Sequence, residues 1–235
     1  MSGEFELIRR YFRGATTARR DTVLGIGDDC ALLQVPPGRQ LAVSMDTLVS
    51  GRHFHPDVDP GSLGHKALAV NLSDLAAMGA EPAWVTLGLT LPGADPQWES
   101  WLAAFMRGFA ALAGEHAVEL VGGDTTRGPL SLTLQVHGFV APGLALRRDG
   151  AAPGDLVYVS GSLGDAGLAL LAQQGLYVGQ GNLAHLQARL ERPTPRVTLG
   201  RALSGFASAA IDVSDGLGAD LGHVCAASGC AALLH

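Results

Sequence analysis

Five times along this chain an aspartate stands at or near the end of an apolar run. The places are Gly25-Ile26-Gly27-Asp28-Asp29-Cys30-Ala31, Ser44-Met45-Asp46-Thr47, Asn71-Leu72-Ser73-Asp74, Gly122-Gly123-Asp124-Thr125-Thr126 and Asp212-Val213-Ser214-Asp215-Gly216. A fold that buries those runs in one core delivers carboxylates from the ends of the same elements. Carboxylates gathered in that way repel each other unless positive charge lies among them. The glycines ahead of Asp28-Asp29 let the backbone turn tightly and approach a ligand closely, which makes a divalent cation the natural partner. A solvated Asp-Asp turn is the plainer alternative, because turns favour Gly and Asp in any case.

The charge inventory sharpens the choice. Of 22 acidic residues 15 are Asp and 7 are Glu. A short carboxylate has few rotamers and suits magnesium, which takes oxygen ligands in tight octahedral geometry. Lys66 is the only lysine, so the Gly-Lys-Ser/Thr of a P-loop is absent. Phosphates must then be met by metal, arginine and backbone amides. The same scarcity excludes a basic stripe for nucleic acid, and Arg9, Arg10, Arg13, Arg19 and Arg20 read as a solvated helix face and loop. The longest uncharged run, Gly128 to Leu146, contains Pro129, Gln135, His137 and Pro142 and alternates like a half-exposed strand rather than a membrane span. Met1 to Arg10 lacks the layout of a signal peptide. Cys30, Cys225 and Cys230 form no disulfide or zinc framework. Cytoplasm, with no membrane and no nucleic acid, is the expected setting.

In chain order, the reading expects a short helix over Glu4 to Phe12 and a strand over Leu41 to Ser44 that delivers Asp46 at its end. A helix from about Ser62 to Met78, closed by Gly79 as a left-handed cap, puts Asn71 and Asp74 on one face. Its other residues are largely apolar, so Asp74 is costly there unless paired or metal-bound. Further expectations are a strand over Ala83 to Leu91, a helix over Pro96 to Gly114 capped by Asp95, and a strand over Ala117 to Val121 running into Gly122-Gly123-Asp124. An alternating strand over Ser131 to Val140 completes the first half. Pro142-Gly143, Arg147-Arg148-Asp149-Gly150 and Pro153-Gly154-Asp155 change the composition, dividing the chain into domains 1–145 and 146–235.

The second half opens with a strand over Leu156 to Ser160 and the glycine loop Gly161 to Gly167, whose spacing is not that of a dinucleotide site. Helices follow over Asn182 to Leu190 and Pro195 to Phe206. A short strand over Ala209 to Ile211 ends in Asp212, and Asp215 opens a helix to about Ser228. The chain stops in Cys230-Ala231-Ala232-Leu233-Leu234-His235, which reads as an interrupted strand and hence an incomplete second domain. Charged residues make up only 16%, against about a quarter in typical domains, so a partner is expected to cover part of the surface.

The five aspartate motifs, together with Thr47-Leu48-Val49-Ser50-Gly51-Arg52-His53-Phe54 after Asp46, resemble the thiamine-monophosphate kinase family in content, order and spacing. That family belongs to the superfamily of aminoimidazole ribonucleotide synthetase and selenophosphate synthetase. The resemblance runs from Glu4 to the last residue. It implies an α/β fold of α+β type in two domains, with an N-terminal mixed sheet and flanking helices that pairs into a barrel across a homodimer, and a C-terminal α/β domain. It also implies ATP-dependent phosphorylation of thiamine monophosphate to thiamine diphosphate with several Mg2+ ions. Carried over by position, Asp29, Ser44, Asp46, Asp74, Asp124, Asp212 and Asp215 match metal ligands. Gly123, Asp124, Arg148 and Ser214 match ATP contacts, and His53 matches a substrate contact.

Two departures stand out. Met45 occupies a position where the family commonly has threonine, and the family extends well past position 235, where further substrate contacts lie. No residue is assigned as a general base, because the attacking phosphate oxygen arrives as an anion. Two alternatives stay open: a sibling enzyme with another acceptor, and a nucleotide-binding dimer without turnover.

Overall fold

The computed structural model describes residues 4–93, 96–177 and 182–234. The N-terminal helix α1 (Glu4–Leu7) continues as a wider π-type turn over Ile8–Phe12. Two short strands, β1 (Thr22–Leu24) and β2 (Leu32–Leu33), pair antiparallel around the Gly25–Ala31 loop. The main sheet contains β3 (Gln40–Val49), β4 (Glu81–Leu91), β5 (Glu119–Arg127) and β6 (Ser131–Val140), in the order β3-β6-β4-β5. Only the β4–β5 pair is parallel. Helix α2 (Pro60–Ala77) and helix α3 (Pro96–Glu115) supply much of the core on one face of this sheet.

Local chemistry explains why α2 sits where it does. Asp59 caps it by accepting the Ser62 N–H at 2.7 Å, and Pro60 fits the first turn, where no N–H is needed. Gly79, at φ +68°, closes it as expected. Leu63, Leu68, Leu72 and Leu75 of α2 and Leu102, Phe105 and Phe109 of α3 are buried against Val85, Leu87 and Leu89 of β4 and Leu132, Leu134 and Val136 of β6. The alternation of β4 and β6 thus places their leucines and valines under the helices.

The opposite face is covered at one end, where Trp84, Val121 and Phe139 form a second small core with Ala31, Leu33 and Val35 around β2. Among the described residues no barrel closes, and the sheet is otherwise open. At its β3 edge Leu41, Val43, Met45 and Val49 stand exposed. Met45, 61% exposed, points away from the side on which Ser44 and Asp46 lie, as the period-two alternation of a strand requires.

The second half is helical: α4 (Asp165–Gln173), α5 (Leu183–Glu191), α6 (Val197–Leu203) and α7 (Leu217–Ser228). It docks on the first half through α6. A methyl group on Gly200 would lie 2.0 Å from the Ala76 carbonyl oxygen, so α6 and α2 approach backbone to backbone. His65 Nε2 meets the Pro193 carbonyl at 2.9 Å, and Arg201 pairs with Glu81 at 3.2 Å. No described helix is long and apolar enough to cross a membrane.

Several element boundaries differ from expectation. Strand β3 runs on to Val49, so Asp46 lies inside it rather than at its end. Strand β5 carries on through Gly122-Gly123-Asp124 to Arg127, because β4 offers a parallel partner as far as Leu91. Leu156–Ser160 and Ala209–Ile211 join no ladder among the described residues, since apolar alternation makes a strand only where a neighbour takes its N–H and C=O groups. Helix α7 starts at Leu217 with Gly216 as its N-cap, so Asp215 precedes the cap. The proposed cap Asp95 lies outside the described residues.

Candidate active site

Strand β3 and helix α2 are joined at two levels by polar side chains. Asn71 is fully buried; its Oδ1 accepts the Asp46 backbone N–H at 3.2 Å, and its Nδ2 donates to the Ala67 carbonyl at 2.9 Å. With both ends of the amide engaged, Asn71 fixes the height of Asp46 against the helix. Three residues on, Asp74 Oδ2 accepts the Ser44 hydroxyl at 2.5 Å. Ser44 and Asp46, two apart on one strand face, therefore meet Asn71 and Asp74, three apart on one helix face. The apolar helix tolerates Asp74 because the carboxylate lies at this seam, half-buried and hydrogen-bonded.

Asp212 arrives from the second half and stands beside Ser73. Three carboxylates then feel one another. Burial pushes the Asp46 carboxyl above its usual range and the charge of Asp212 adds to this, with nearby His53 opposing. Burial raises Asp74 as well; the Ser44 hydroxyl opposes the rise, Asp46 adds to it, and Arg148 offsets part of it. For Asp212 burial again comes first, then the charge of Asp74, with a further push from Asp220, countered by the Ser73 hydroxyl and by Arg148. A single exposed guanidinium leaves this group short of positive charge.

The donor set fits magnesium, being made of carboxylate and hydroxyl oxygens. Among the described residues, no three His, Cys, Asp or Glu side chains are close enough to hold one ion by themselves. That suits an ion that takes one or two carboxylates and completes its shell with water and phosphate oxygens.

The remaining candidates divide into three groups. Ser214 and Asp215 lie exposed on the turn before α7, next to Asp212. His53 accepts the Val49 N–H at Nδ1, 3.0 Å away, which leaves its proton on Nε2. Its carbonyl accepts from Lys66 Nζ at 3.3 Å, holding the loop on α2. Asp29, Gly123 and Asp124 are elsewhere. Across the sheet Asp46 pairs with Leu134, Leu134 with Leu87, and Leu87 with Gly123. Asp46 and Gly123 are thus level with each other on opposite edges, three strand spacings or about 14 Å apart. Asp124 therefore shares no ion with Asp46 inside one chain.

Gly123 has φ +153°, and a methyl group there would sit 2.0 Å from the Leu87 carbonyl oxygen, so β5 carries glycine where it presses on β4. Strand β1, which leads into the Asp28-Asp29 loop, is tied to the start of β5. Glu119 Oε2 accepts both the Thr22 hydroxyl and the Arg19 N–H at 2.7 Å, and Trp84 Nε1 donates to Thr22 Oγ1 at 3.0 Å.

Three supporting residues carry no assigned role from sequence: Asn71, Ser73 and Asp220. A buried polar residue one turn before Asp74 in an apolar helix was the available signal for Asn71. For Asp220 no local pattern gave one.

The fold and these motifs match known proteins. Residues 27–140 fit the family described as AIR synthase related protein, N-terminal domain, which defines the class of the sheet-and-helix half. Thiamine-monophosphate kinase of Salmonella typhimurium (strain LT2) is 58% identical over 233 residues, covering 98% of this chain and 70% of that protein. The chain belongs to the thiamine-monophosphate kinase family. The crystal structure of thiamine-monophosphate kinase from Stenotrophomonas maltophilia K279a superposes with a TM-score of 0.86 at 56% identity, covering 97% of this chain and 72% of that one. AaThiL complexed with AMPPCP and TMP superposes with a TM-score of 0.76 at 31% identity, over 97% of this chain and 71% of that one.

Proposed function

We propose that this chain transfers the γ-phosphoryl group of ATP to the phosphate of thiamine monophosphate, giving thiamine diphosphate and ADP, with several Mg2+ ions shared among Ser44, Asp46, Asp74 and Asp212. The observation that carries this reading is the convergence of three half-buried carboxylates, offset by the exposed Arg148 beside Asp74 and Asp212 and by His53 beside Asp46. Magnesium bound there supplies positive charge between the anions and polarises the phosphoryl oxygens. Arg148 neutralises and orients phosphate through its guanidinium fork. The Nε2–H of His53 is available to donate to the acceptor phosphate. That phosphate oxygen attacks the γ-phosphorus as an anion while the bond to the bridging β–γ oxygen breaks, so no side chain needs to remove a proton.

The reading includes a homodimer in the cytoplasm, with residues 1–145 as the nucleotide, metal and dimerisation domain and 146–235 as the second domain. Pairing the β3 edge of one subunit with the β5 edge of its partner closes the two open sheets into a barrel. Such pairing covers two unprotected edges and the exposed Leu41, Val43 and Met45. It also brings the Asp29, Gly123 and Asp124 group of one subunit to the Asp46, Asp74 and Asp212 group of the other.

The test is to incubate the chain with ATP, Mg2+ and thiamine monophosphate while measuring its mass by light scattering at micromolar concentration. Thiamine diphosphate and ADP in equal amounts from a dimer are the expected result. A monomer, or ATP cleavage without diphosphate, would overturn the reading. Tight Mg-ATP binding with no turnover would leave the chain as a nucleotide-binding dimer.

A further inference from the structure

Asp220 is only 3% exposed, yet it is a carboxylate, and one of its oxygens does an unusual amount of bonding. Oδ2 accepts three consecutive backbone N–H groups, those of Ser214 at 3.0 Å, Asp215 at 3.1 Å and Gly216 at 3.1 Å. These amides lead into α7. In most helices a Ser or Asp side chain at the N-cap accepts the second or third amide of the helix itself. Here Gly216, at φ +109°, is the N-cap and offers no side chain, and no capping bond forms. Asp220 instead reaches back from the start of the helix to the N-cap amide, as the inner residue of a capping box does, and to the two amides before it. Ser214 and Asp215, the two residues otherwise suited to capping, keep their side chains exposed and turned to the exterior.

We infer that Asp220 is a positioning residue that holds the Asp212–Gly216 turn in the shape that presents Asp212, Ser214 and Asp215 to Mg-ATP. The inference rests on the assignment of those three residues to Mg-ATP. A charged acceptor shared by three donors is strong and directional, and it stays buried because the amides compensate it. Substitution changes the register of the turn, and with it the distance of two carboxylates and one hydroxyl from the nucleotide. Outer partners of metal ligands typically alter metal affinity about 10- to 100-fold when removed.

The experiment compares wild type, Asp220→Asn and Asp212→Asn, each with its thermal midpoint, for binding of the non-hydrolysable analogue AMPPCP by calorimetry across a Mg2+ titration. Asp220→Asn keeps the size of the side chain and one acceptor oxygen. Its expected effect is a rise of about 10-fold or more in the Mg2+ needed for half-saturation, with nucleotide binding restored at high Mg2+. A lowered thermal midpoint with Mg2+ dependence within about twofold of wild type would make Asp220 a purely structural residue and overturn the inference.

The Asp212→Asn arm separates the two levels of the claim. If it shifts Mg2+ dependence and Asp220→Asn does not, the positioning role alone fails; if neither does, the metal assignment fails with it. Should Asp220→Asn not fold, hydrogen exchange on the wild-type protein decides. The Ser214, Asp215 and Gly216 amides are expected to be protected before nucleotide is added and more so with Mg-AMPPCP. Exchange of all three at unstructured rates, or no further protection on binding, would overturn the inference.

Discussion

Asp74→Asn is expected to weaken Mg-ATP binding by about 100-fold or more, because a carboxylate facing a cation at close range is worth about 3–4 kcal/mol even at the effective dielectric of a protein surface. The fold should survive. Asparagine keeps an oxygen for the Ser44 hydroxyl, and α2 stays anchored through Asn71. The metal-free variant should also melt higher than wild type. Burial and the charge of Asp46 raise the carboxyl of Asp74 above its unfolded value, so its ionised form costs stability at neutral pH. That cost is relieved as pH falls through the folded pKa. Removing the charge removes the cost at every pH, and each kcal/mol gained raises the midpoint by about 2–4 °C in a chain of this size. Calorimetry with Mg-ATP and a metal-free melt check both halves; unchanged affinity would sink the assignment of Asp74.

Arg148→Ala should lower the turnover number by about 10²- to 10³-fold, the usual loss when one preorganised donor to developing charge is removed. The backbone that carries Arg148 is held independently of its side chain. Its carbonyl accepts from Ser228 Oγ at 2.7 Å, and the Arg147 carbonyl accepts the Ala210 N–H at 3.0 Å. Truncation therefore tests the guanidinium rather than the loop. Arg148→Lys should recover only part of the loss, since an ammonium offers charge without the planar fork. Steady-state kinetics distinguish the roles: a rise in the Michaelis constant for ATP with unchanged turnover would reduce Arg148 to a binding contact.

The parts of this protein that could be read in advance are those set by local periodicity. Strand β6 runs from Ser131 to Val140 as its alternation indicates, and α2 ends against Gly79 where the left-handed cap was expected. Asp46 was misplaced because Ser44, Asp46 and Thr47 break the apolar rhythm of β3. Only a helix presenting Asn71 and Asp74 opposite makes polar residues acceptable on that face. Leu156 and Tyr158 have strand-like character, but pairing depends on a neighbour, which alternation does not encode.

The division of the site was harder still to read. Motif order suggests that all the aspartates meet, whereas the order β3-β6-β4-β5 puts Asp46 and Asp124 on opposite edges. Strand order follows from long-range packing, for which no residue spacing is a signature. Asp220 carries no signature for a similar reason: it reaches back from inside its own helix, like the inner residue of a capping box but without the Ser/Thr partner that marks one in sequence.

The separation of Asp46 from Asp124 also has a genetic consequence. In a dimer whose sites each draw on both chains, an Asp74→Asn chain and an Asp124→Asn chain damage different contributions to a site. Mixed dimers would concentrate both lesions in one site and leave the other wild type in composition. Two alleles that are each inactive alone should then complement when co-expressed, and mixed preparations should regain activity as subunits exchange. Two alleles from the same edge, such as Asp46→Asn and Asp74→Asn, should not complement, because every mixed dimer would carry a lesion in both sites.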